Sequence, residues 1–148
     1  NVHLHPHVSS AISDTMIRIE HLGIAVRDLD QAEDNWTKLL GHAPYKREEV
    51  EREGVITSFF QVGPNKIELL ESTRSDGPVA KAIEKRGEGI HHVAYEVEDI
   101  RAEMVRLKAE GFQLLSDEPK LGADNKLVCF VHPKGATGVL VELTQEIR

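Results

Sequence analysis

The sequence contains one cysteine, Cys129, and fewer basic than acidic residues, 18 against 25 in a chain of 148. A single cysteine cannot form a disulfide within the chain, so we expect the protein in the reducing cytoplasm. The formal net charge of -7 disfavours nucleic-acid partners, because phosphate contacts need a basic surface. No stretch approaches the roughly 18 consecutive apolar residues that cross a bilayer, so we expect no membrane partner.

Residues 1–15 differ in character from the rest of the chain. They are polar, lack hydrophobic periodicity and carry His3, His5 and His7 in alternation. The charged start and apolar core of a signal peptide are missing, so we interpret this segment as a tag or disordered leader. Met16 would then be the native start, residues 16–148 would form a single domain, and the three histidines would lie outside any site.

One segment occurs twice and organises the remaining sequence. The residues IEHLGIAVRDL around His21 match IHHVAYEVEDI around His92. A second match joins IELL to VELT, so that Glu68 corresponds to Glu142. Each half therefore carries one histidine on an early strand and one glutamate on a late strand. This symmetry suggests a metal site built by duplication.

Hydrophobic periodicity predicts a strand, a helix and three more strands in module one, about residues 18–71. The first strand alternates around His21, and its opposite face has the bulk to pack against a helix. Asp28 can cap that helix, and Gly41 can end it. The remaining strands are expected near residues 43–49, 54–62 and 66–71.

Module two, about residues 89–146, repeats this order after a linker and short helix at residues 72–88. A strand carries His92, Asp99 caps a helix, and Gly111 ends it. A loop is expected at 117–122, and strands are expected near 113–116, 126–132 and 138–144. The predicted fold is therefore α+β, with tandem βαβββ modules forming a cupped mixed β-sheet around a metal site.

Glu68 and Glu142 each interrupt an otherwise apolar strand, and burying an unpaired carboxylate is unfavourable by several kcal/mol. No Arg or Lys occupies equivalent positions in the two modules, whereas histidine does. The predicted ligands of one divalent cation are therefore His21, Glu68, His92 and Glu142. Imidazole and carboxylate together suit zinc, cobalt, manganese, nickel or iron(II). His91 should point away from His92, because neighbouring residues of a strand face opposite sides.

The tandem pattern with histidine and glutamate at these places resembles the vicinal oxygen chelate superfamily. Within it the chain, from about residue 18 to 145, resembles the methylmalonyl-CoA epimerase family. The most specific segments are DEPKLG, HPK and GVLVELTQ in module two. The resemblance implies an isomerase that interconverts the R and S epimers of an acyl-CoA substrate, methylmalonyl-CoA, by α-proton abstraction through a metal-stabilised enolate. It also implies a divalent metal ion (cobalt, manganese, nickel or zinc) and a homodimer.

The resemblance also assigns roles to the predicted ligands. His21, His92 and Glu142 take the family's metal positions, and Glu68 stands where many members have glutamine or glutamate. Glu142 is implied as an acid/base as well as a ligand.

The second acid/base is left open by the sequence. Thr57 stands where some members of the family have a glutamate. Glu49, Glu51 and Glu53 lie in the right part of the chain, although each also fits a solvated acidic hairpin.

Three alternatives remain open. A glyoxalase I-like (lactoylglutathione lyase-like) isomerase or lyase of the same superfamily uses similar ligands. An extradiol dioxygenase prefers two histidines and one carboxylate on iron. A non-enzymatic binding module of the superfamily would normally lack the full ligand set.

Overall fold

One sheet of eight strands carries both halves of the chain. The structure, a computed structural model, describes residues 16–147, so His3, His5, His7 and the expected leader lie outside the described residues. The strands are β1 (Met16–Ala25), β2 (Lys46–Val50), β3 (Val55–Val62), β4 (Asn65–Ser72), β5 (Gly89–Val97), β6 (Lys120–Leu121), β7 (Lys126–Val131) and β8 (Val141–Glu146). The helices are α1 (Leu29–Leu40), α2 (Pro78–Arg86) and α3 (Ile100–Ala109).

The strand order across the sheet is β2-β3-β4-β1-β5-β8-β7-β6. The first strand of each module pairs in parallel with the last strand of the same module, β1 with β4 and β5 with β8. At the centre β1 and β5 pair antiparallel, which joins the two modules into one mixed sheet. The predicted α+β fold of tandem modules forming a cupped mixed sheet is confirmed.

Helices α1 and α3 cover the face of the sheet that turns away from the site. The carboxylate of Asp28 accepts a hydrogen bond from the backbone N–H of Gln31, and Asp99 caps α3 in the same way. The core beneath α1 consists of Ile24, Val26, Leu29, Ala32, Phe60 and Leu69. The core beneath α3 consists of Val97, Ile100, Met104, Leu107, Cys129, Val131 and Leu143. Apolar burial on this face leaves the other face of β1 and β5 free for polar side chains.

Two expectations for module two are wrong. The expected strand at residues 113–116 is only a single bridge between Leu114 and Val131. The expected loop at 117–122 contains β6, which pairs with β7. The Ser116 hydroxyl donates to the carbonyl of Glu118, and Pro119 has no N–H for a ladder, so strand pairing resumes only after the proline.

The two ends of the sheet meet through a short 3-10 turn, Ala123–Asn125. The carboxylate of Asp124 lies 2.7 Å from Lys46 Nζ and 2.9 Å from Lys66 Nζ. Its backbone N–H donates to the carboxylate of Glu48 on β2. These bonds tie module two to the outer strand of module one. None of the helices described between residues 16 and 147 has the length and apolar character that crossing a lipid bilayer would take.

Candidate active site

The inner face of the sheet encloses a cavity of about 350 Å³ that is lined by both modules. Module one contributes His21 and Glu68, and module two contributes His92 and Glu142. The antiparallel pairing of β1 with β5 brings the two histidine-bearing strands side by side. All four predicted ligands therefore line one space.

Three of the four meet at one point. The Nε2 atoms of His21 and His92 are 3.0 Å apart, and Glu142 Oε1 lies 3.2 Å from the first and 2.9 Å from the second. Ligand atoms roughly 2.1 Å from a shared ion are about 3 Å apart when their bonds stand at right angles. The three groups are thus spaced as ligands of one divalent cation would be.

Glu68 approaches the opposite side of the His21 ring. Its Oε2 lies 3.2 Å from His21 Nδ1, and a second group of potential ligands consists of Glu20, His21 and Glu68. The role of Glu68 as a fourth ligand therefore stays a prediction.

The cavity wall holds more buried carboxylates than the sequence analysis foresaw. Glu20, Glu68 and Glu142 are all buried. Lys66, also buried, offsets part of their charge, since its Nζ lies 3.0 Å from Glu20 and 3.7 Å from Glu68. Symmetry between the modules did not reveal this lysine, because the matching position in module two is Leu140.

The electrostatics of the site fit a bound cation. Burial would lower the pKa of His21, but the carboxylates of Glu68, Glu142 and Glu20 outweigh burial and raise that pKa to about 10. Burial would raise the pKa of Glu142, but His92 and His21 hold it well below its usual range. A divalent cation would supply the positive charge that His21 otherwise supplies by taking a proton. The residues present therefore suit an ion held by imidazole and carboxylate.

Two β-bulges bring further polar groups into the cavity. Ile19 pairs with Tyr95 and His21 pairs with Ala94, so Glu20 is an extra residue on β1. The extra residue on β5 is His91, which lies between His92 and Ile90 in the same register. The expectation that His91 points away from His92 is therefore wrong, because a bulge breaks the alternation of a strand. Both Glu20 and His91 line the cavity. The sequence did hold a signal for these two residues, because each copy of the duplicated motif has a polar residue directly before its histidine.

The chain matches one superfamily of known proteins over most of its length. The model of the Glyoxalase/Bleomycin resistance protein/Dioxygenase superfamily matches residues 20–130. The chain belongs to this superfamily.

Individual relatives are more specific. The chain is 43% identical over 130 residues to the ethylmalonyl-CoA/methylmalonyl-CoA epimerase of Cereibacter sphaeroides, covering 86% of this chain and 97% of the relative. It is 40% identical to the mitochondrial methylmalonyl-CoA epimerase of Mus musculus, covering 86% of this chain and 72% of that protein. A solved structure of a Streptomyces coelicolor methylmalonyl-CoA epimerase variant in complex with 2-nitronate-propionyl-CoA is 34% identical, with a TM-score of 0.86 and coverage of 90% and 99%. The resemblance to the methylmalonyl-CoA epimerase family, whose members are isomerases, is confirmed.

In this member of the epimerase family, Gly23 makes room for a predicted ligand. Gly23 pairs with His92 across the sheet, and a Cβ added at Gly23 would overlap the imidazole ring of His92. We expect Gly23→Ala to displace that ring and to weaken metal binding by more than about tenfold, as loss of ligand orientation does in metal sites. Titration with Zn²⁺ measures the effect. Gly41→Ala, which adds a methyl group into open space at a left-handed helix end, should lower stability and leave zinc affinity unchanged. Wild-type zinc affinity in Gly23→Ala would contradict this account.

Among the glutamates named for the second acid/base, Glu53 differs from the others. It ends the 3-10 turn Glu51–Glu53 and lines the cavity, whereas Glu49 and Glu51 are exposed. Burial, and then the charge of Glu142, raise the pKa of Glu53 to about 7. Thr57 is buried and also lines the cavity. An unassisted hydroxyl has too high a pKa to take a proton at neutral pH, so Glu53 is a stronger candidate than Thr57 for the second acid/base.

Proposed function

We propose that this protein interconverts the R and S epimers of methylmalonyl-CoA by metal-dependent transfer of the α-proton. The observation that carries the proposal is a pair of carboxyl groups, Glu142 and Glu53, that line one cavity beside a set of potential metal ligands. Their environments push their pKa values in opposite directions. Such a divergence is typical of an acid and a base that act together. The relatives named as epimerases support the same substrate.

The divalent ion would be held by His21, His92 and Glu142, with Glu68 as the fourth predicted ligand. When bound, it supplies Lewis-acid stabilisation of the negative charge that develops as the α-proton leaves. Cobalt, manganese, nickel and zinc all suit this ligand set.

The protein's own groups would move the proton. Glu142 is ionised at neutral pH, because the neighbouring imidazoles hold its pKa low, so it can take the α-proton from one face of the substrate. The C–H bond breaks and its electron pair enters the thioester enolate. Glu53, which is partly protonated near pH 7, then gives a proton to the opposite face of the α-carbon. The pair keeps one proton throughout, so the reverse reaction uses the same groups in exchanged roles.

The pH dependence of epimerisation tests this pairing. Inversion of the α-carbon requires one proton shared between Glu142 and Glu53. This proton is lost from Glu53 as the pH rises above about 7. We therefore expect kcat/KM to fall about tenfold per pH unit on the alkaline side, in both directions of the reaction. A coupled assay with each epimer over the range from about pH 6 to 9 measures this profile. A rate that rises or stays constant through that range would contradict the assignment.

The variant Glu53→Gln separates the two carboxyl groups. It should lose inversion by at least about a hundredfold, because one face of the substrate then lacks a proton carrier. It should keep exchange of the α-proton of one epimer with solvent, since Glu142 remains. Glu49→Gln, at an exposed position of the same hairpin, should retain both activities. If Glu53→Gln lost inversion and exchange of both epimers equally, Glu53 would not be the proton carrier of one face.

The function itself is tested by NMR of methylmalonyl-CoA in deuterated water with the metal-loaded protein. We expect the α-proton to exchange and the two epimers to interconvert. Succinyl-CoA, whose carboxylate is one carbon further away, should exchange much more slowly. Background exchange together with rapid turnover of a glutathione hemithioacetal would replace the epimerase proposal with a glyoxalase I-like one.

We also propose that the protein is a homodimer, as the family resemblance implies. The central strands leave apolar side chains exposed at Ile17, Ile19 and Ile90, which association could cover. Light scattering should give about twice the chain mass of 16.5 kDa at micromolar concentration. A mass equal to that of one chain would refute the dimer.

A further inference from the structure

The β-bulges at Glu20 and His91 place the same kind of contact on both predicted histidine ligands. In β1 the extra residue is Glu20, and its Oε1 lies 2.7 Å from Nδ1 of His21. In β5 the extra residue is His91, and its Nδ1 lies 3.0 Å from Nδ1 of His92. Each bulged residue directly precedes the ligand that it contacts. In both modules, therefore, the Nδ1 atom of the ligand histidine contacts the residue before it. The Nε2 atom faces the point where His21, His92 and Glu142 meet.

We infer that Glu20 and His91 are positioning residues that keep the proton of each ligand histidine on Nδ1. A neutral imidazole carries one proton, and the nitrogen without it is the one that can bind a cation. A hydrogen bond from Nδ1–H therefore decides that Nε2 offers its lone pair and fixes the plane of the ring. The inference rests on the proposed metal site and concerns how this chain prepares it.

The positions of the Nε2 atoms support this direction of the bonds. The two Nε2 atoms face each other at 3.0 Å, and both lie close to Glu142 Oε1. With a cation bound at that point, each Nε2 must offer its lone pair, because a nitrogen that carries a proton cannot bind a metal ion. The partners on the Nδ1 side must then accept hydrogen bonds, and both a carboxylate and a neutral imidazole can do so.

The two contacts differ in strength. Glu20 brings a charged acceptor, and hydrogen bonds to charged groups are roughly twice as strong as those between neutral groups. Its other oxygen, Oε2, lies 3.0 Å from Lys66 Nζ, and Lys66 in turn lies 2.9 Å from Asp124. This chain of ion pairs holds the Glu20 carboxylate in place from the module-two side. His91 brings an uncharged ring that stands edge-on to His92, with 5.2 Å between the ring centroids. Glu20 therefore holds the ring of His21 by a stronger hydrogen bond than His91 forms with His92.

NMR of the zinc-loaded full chain with ¹⁵N-labelled histidine tests the inference directly, because it reports which ring nitrogen carries the proton. All proteins in the experiment carry glutamine at positions 3, 5 and 7, so that the three leader histidines do not bind zinc. We expect the proton on Nδ1 and the zinc on Nε2 for both His21 and His92. A proton on Nε2 of either histidine would overturn the inference, and this measurement needs no variant in the site.

Zinc affinity, measured by competition with a chelator, is the second readout. Glu20→Leu removes the nearer acceptor of His21 Nδ1–H and leaves Glu68 Oε2 at 3.2 Å, and His91→Phe removes the acceptor beside His92. We expect each change to weaken zinc binding by about 10- to 100-fold. Glu20→Gln keeps an oxygen that accepts from Nδ1–H, so it should fall between wild type and Glu20→Leu. Glu96→Gln is the matched control, because it removes the charge of a half-buried ion pair with Arg18 that does not line the cavity.

The outcomes separate this inference from the proposed function. Zinc affinities within twofold of wild type in folded Glu20→Leu and His91→Phe would overturn the positioning roles, whatever the epimerase activity. Should Glu20→Leu fail to fold, as circular dichroism would show, Glu20→Gln and the proton positions in wild type decide the question. Suppose that the two variants bind zinc more weakly and that the wild-type protein does not epimerise methylmalonyl-CoA. This result would support the positioning roles and would reject only the proposed substrate.

Discussion

Glu142→Gln is expected to slow exchange of the α-proton by about 100- to 10,000-fold in the methylmalonyl-CoA epimer whose α-proton faces Glu142, the range that general-base catalysis usually contributes. A neutral amide is a poor base, although its oxygen can still contact a cation. The loss should therefore appear even in protein that retains its metal, and metal analysis of the same sample separates the two effects. Deuterium exchange followed by NMR measures the rate.

The control for this variant is Glu146→Gln. Glu146 lies on the same strand, β8, but its side chain is more than half exposed and pairs with Lys126. Its replacement should leave the exchange rate within about twofold of wild type, as is usual for surface changes. Exchange of both epimers at the wild-type rate in metal-loaded Glu142→Gln would remove Glu142 from the proton transfer.

His92→Ala is expected to abolish stoichiometric metal binding. The ring supplies one of three donor atoms that meet within about 3 Å, and its removal leaves Glu142 and His21 with an incomplete site. Metal that binds only the folded protein stabilises it by about 2.7 kcal/mol at a concentration one hundred times its dissociation constant. Added Zn²⁺ should thus raise the melting temperature of wild type and leave that of His92→Ala unchanged.

This measurement also needs a protein in which the leader histidines are replaced by glutamine. His42→Ala is the matched control, because His42 is exposed and bonded only to the carbonyl of Gln61 among the described contacts. It should keep wild-type metal content and the zinc-dependent rise in melting temperature. Full metal content in His92→Ala would contradict the proposed ligand set.

The fold was predictable because its signals are local. Asp28 and Asp99 cap their helices as the sequence predicted, since a cap depends on residues within one turn. Alternation correctly gave β1 an apolar face that packs on α1. At residues 113–116 the pairing with the end of β7 amounts to a single bridge, because the chain turns away at Ser116, whose hydroxyl donates to the carbonyl of Glu118.

The candidate site was partly predictable for a different reason. Duplication marks His21, His92, Glu68 and Glu142 as equivalent positions, and parallel pairing of the first and last strands of each module places them in one cavity. The selection of Glu53 over Glu49 and Glu51 needed the structure. All three are acidic residues of one hairpin, and only the path of the chain decides which of them is half-buried and lines the cavity.

Sequence by itself therefore determined the tandem α+β architecture, the family and the histidine and glutamate pairs that repeat in it. Only the tertiary structure decided that Glu20 and His91 enter the cavity, that Lys66 balances part of its charge, and that Glu68 approaches the Nδ1 side of His21. For Glu20 and His91 the physical reason is the register of β1 against β5. A bulge inserts one extra residue where the pairing register of two strands shifts. The extra residue then departs from the alternation of the strand, although the local sequence pattern is unchanged.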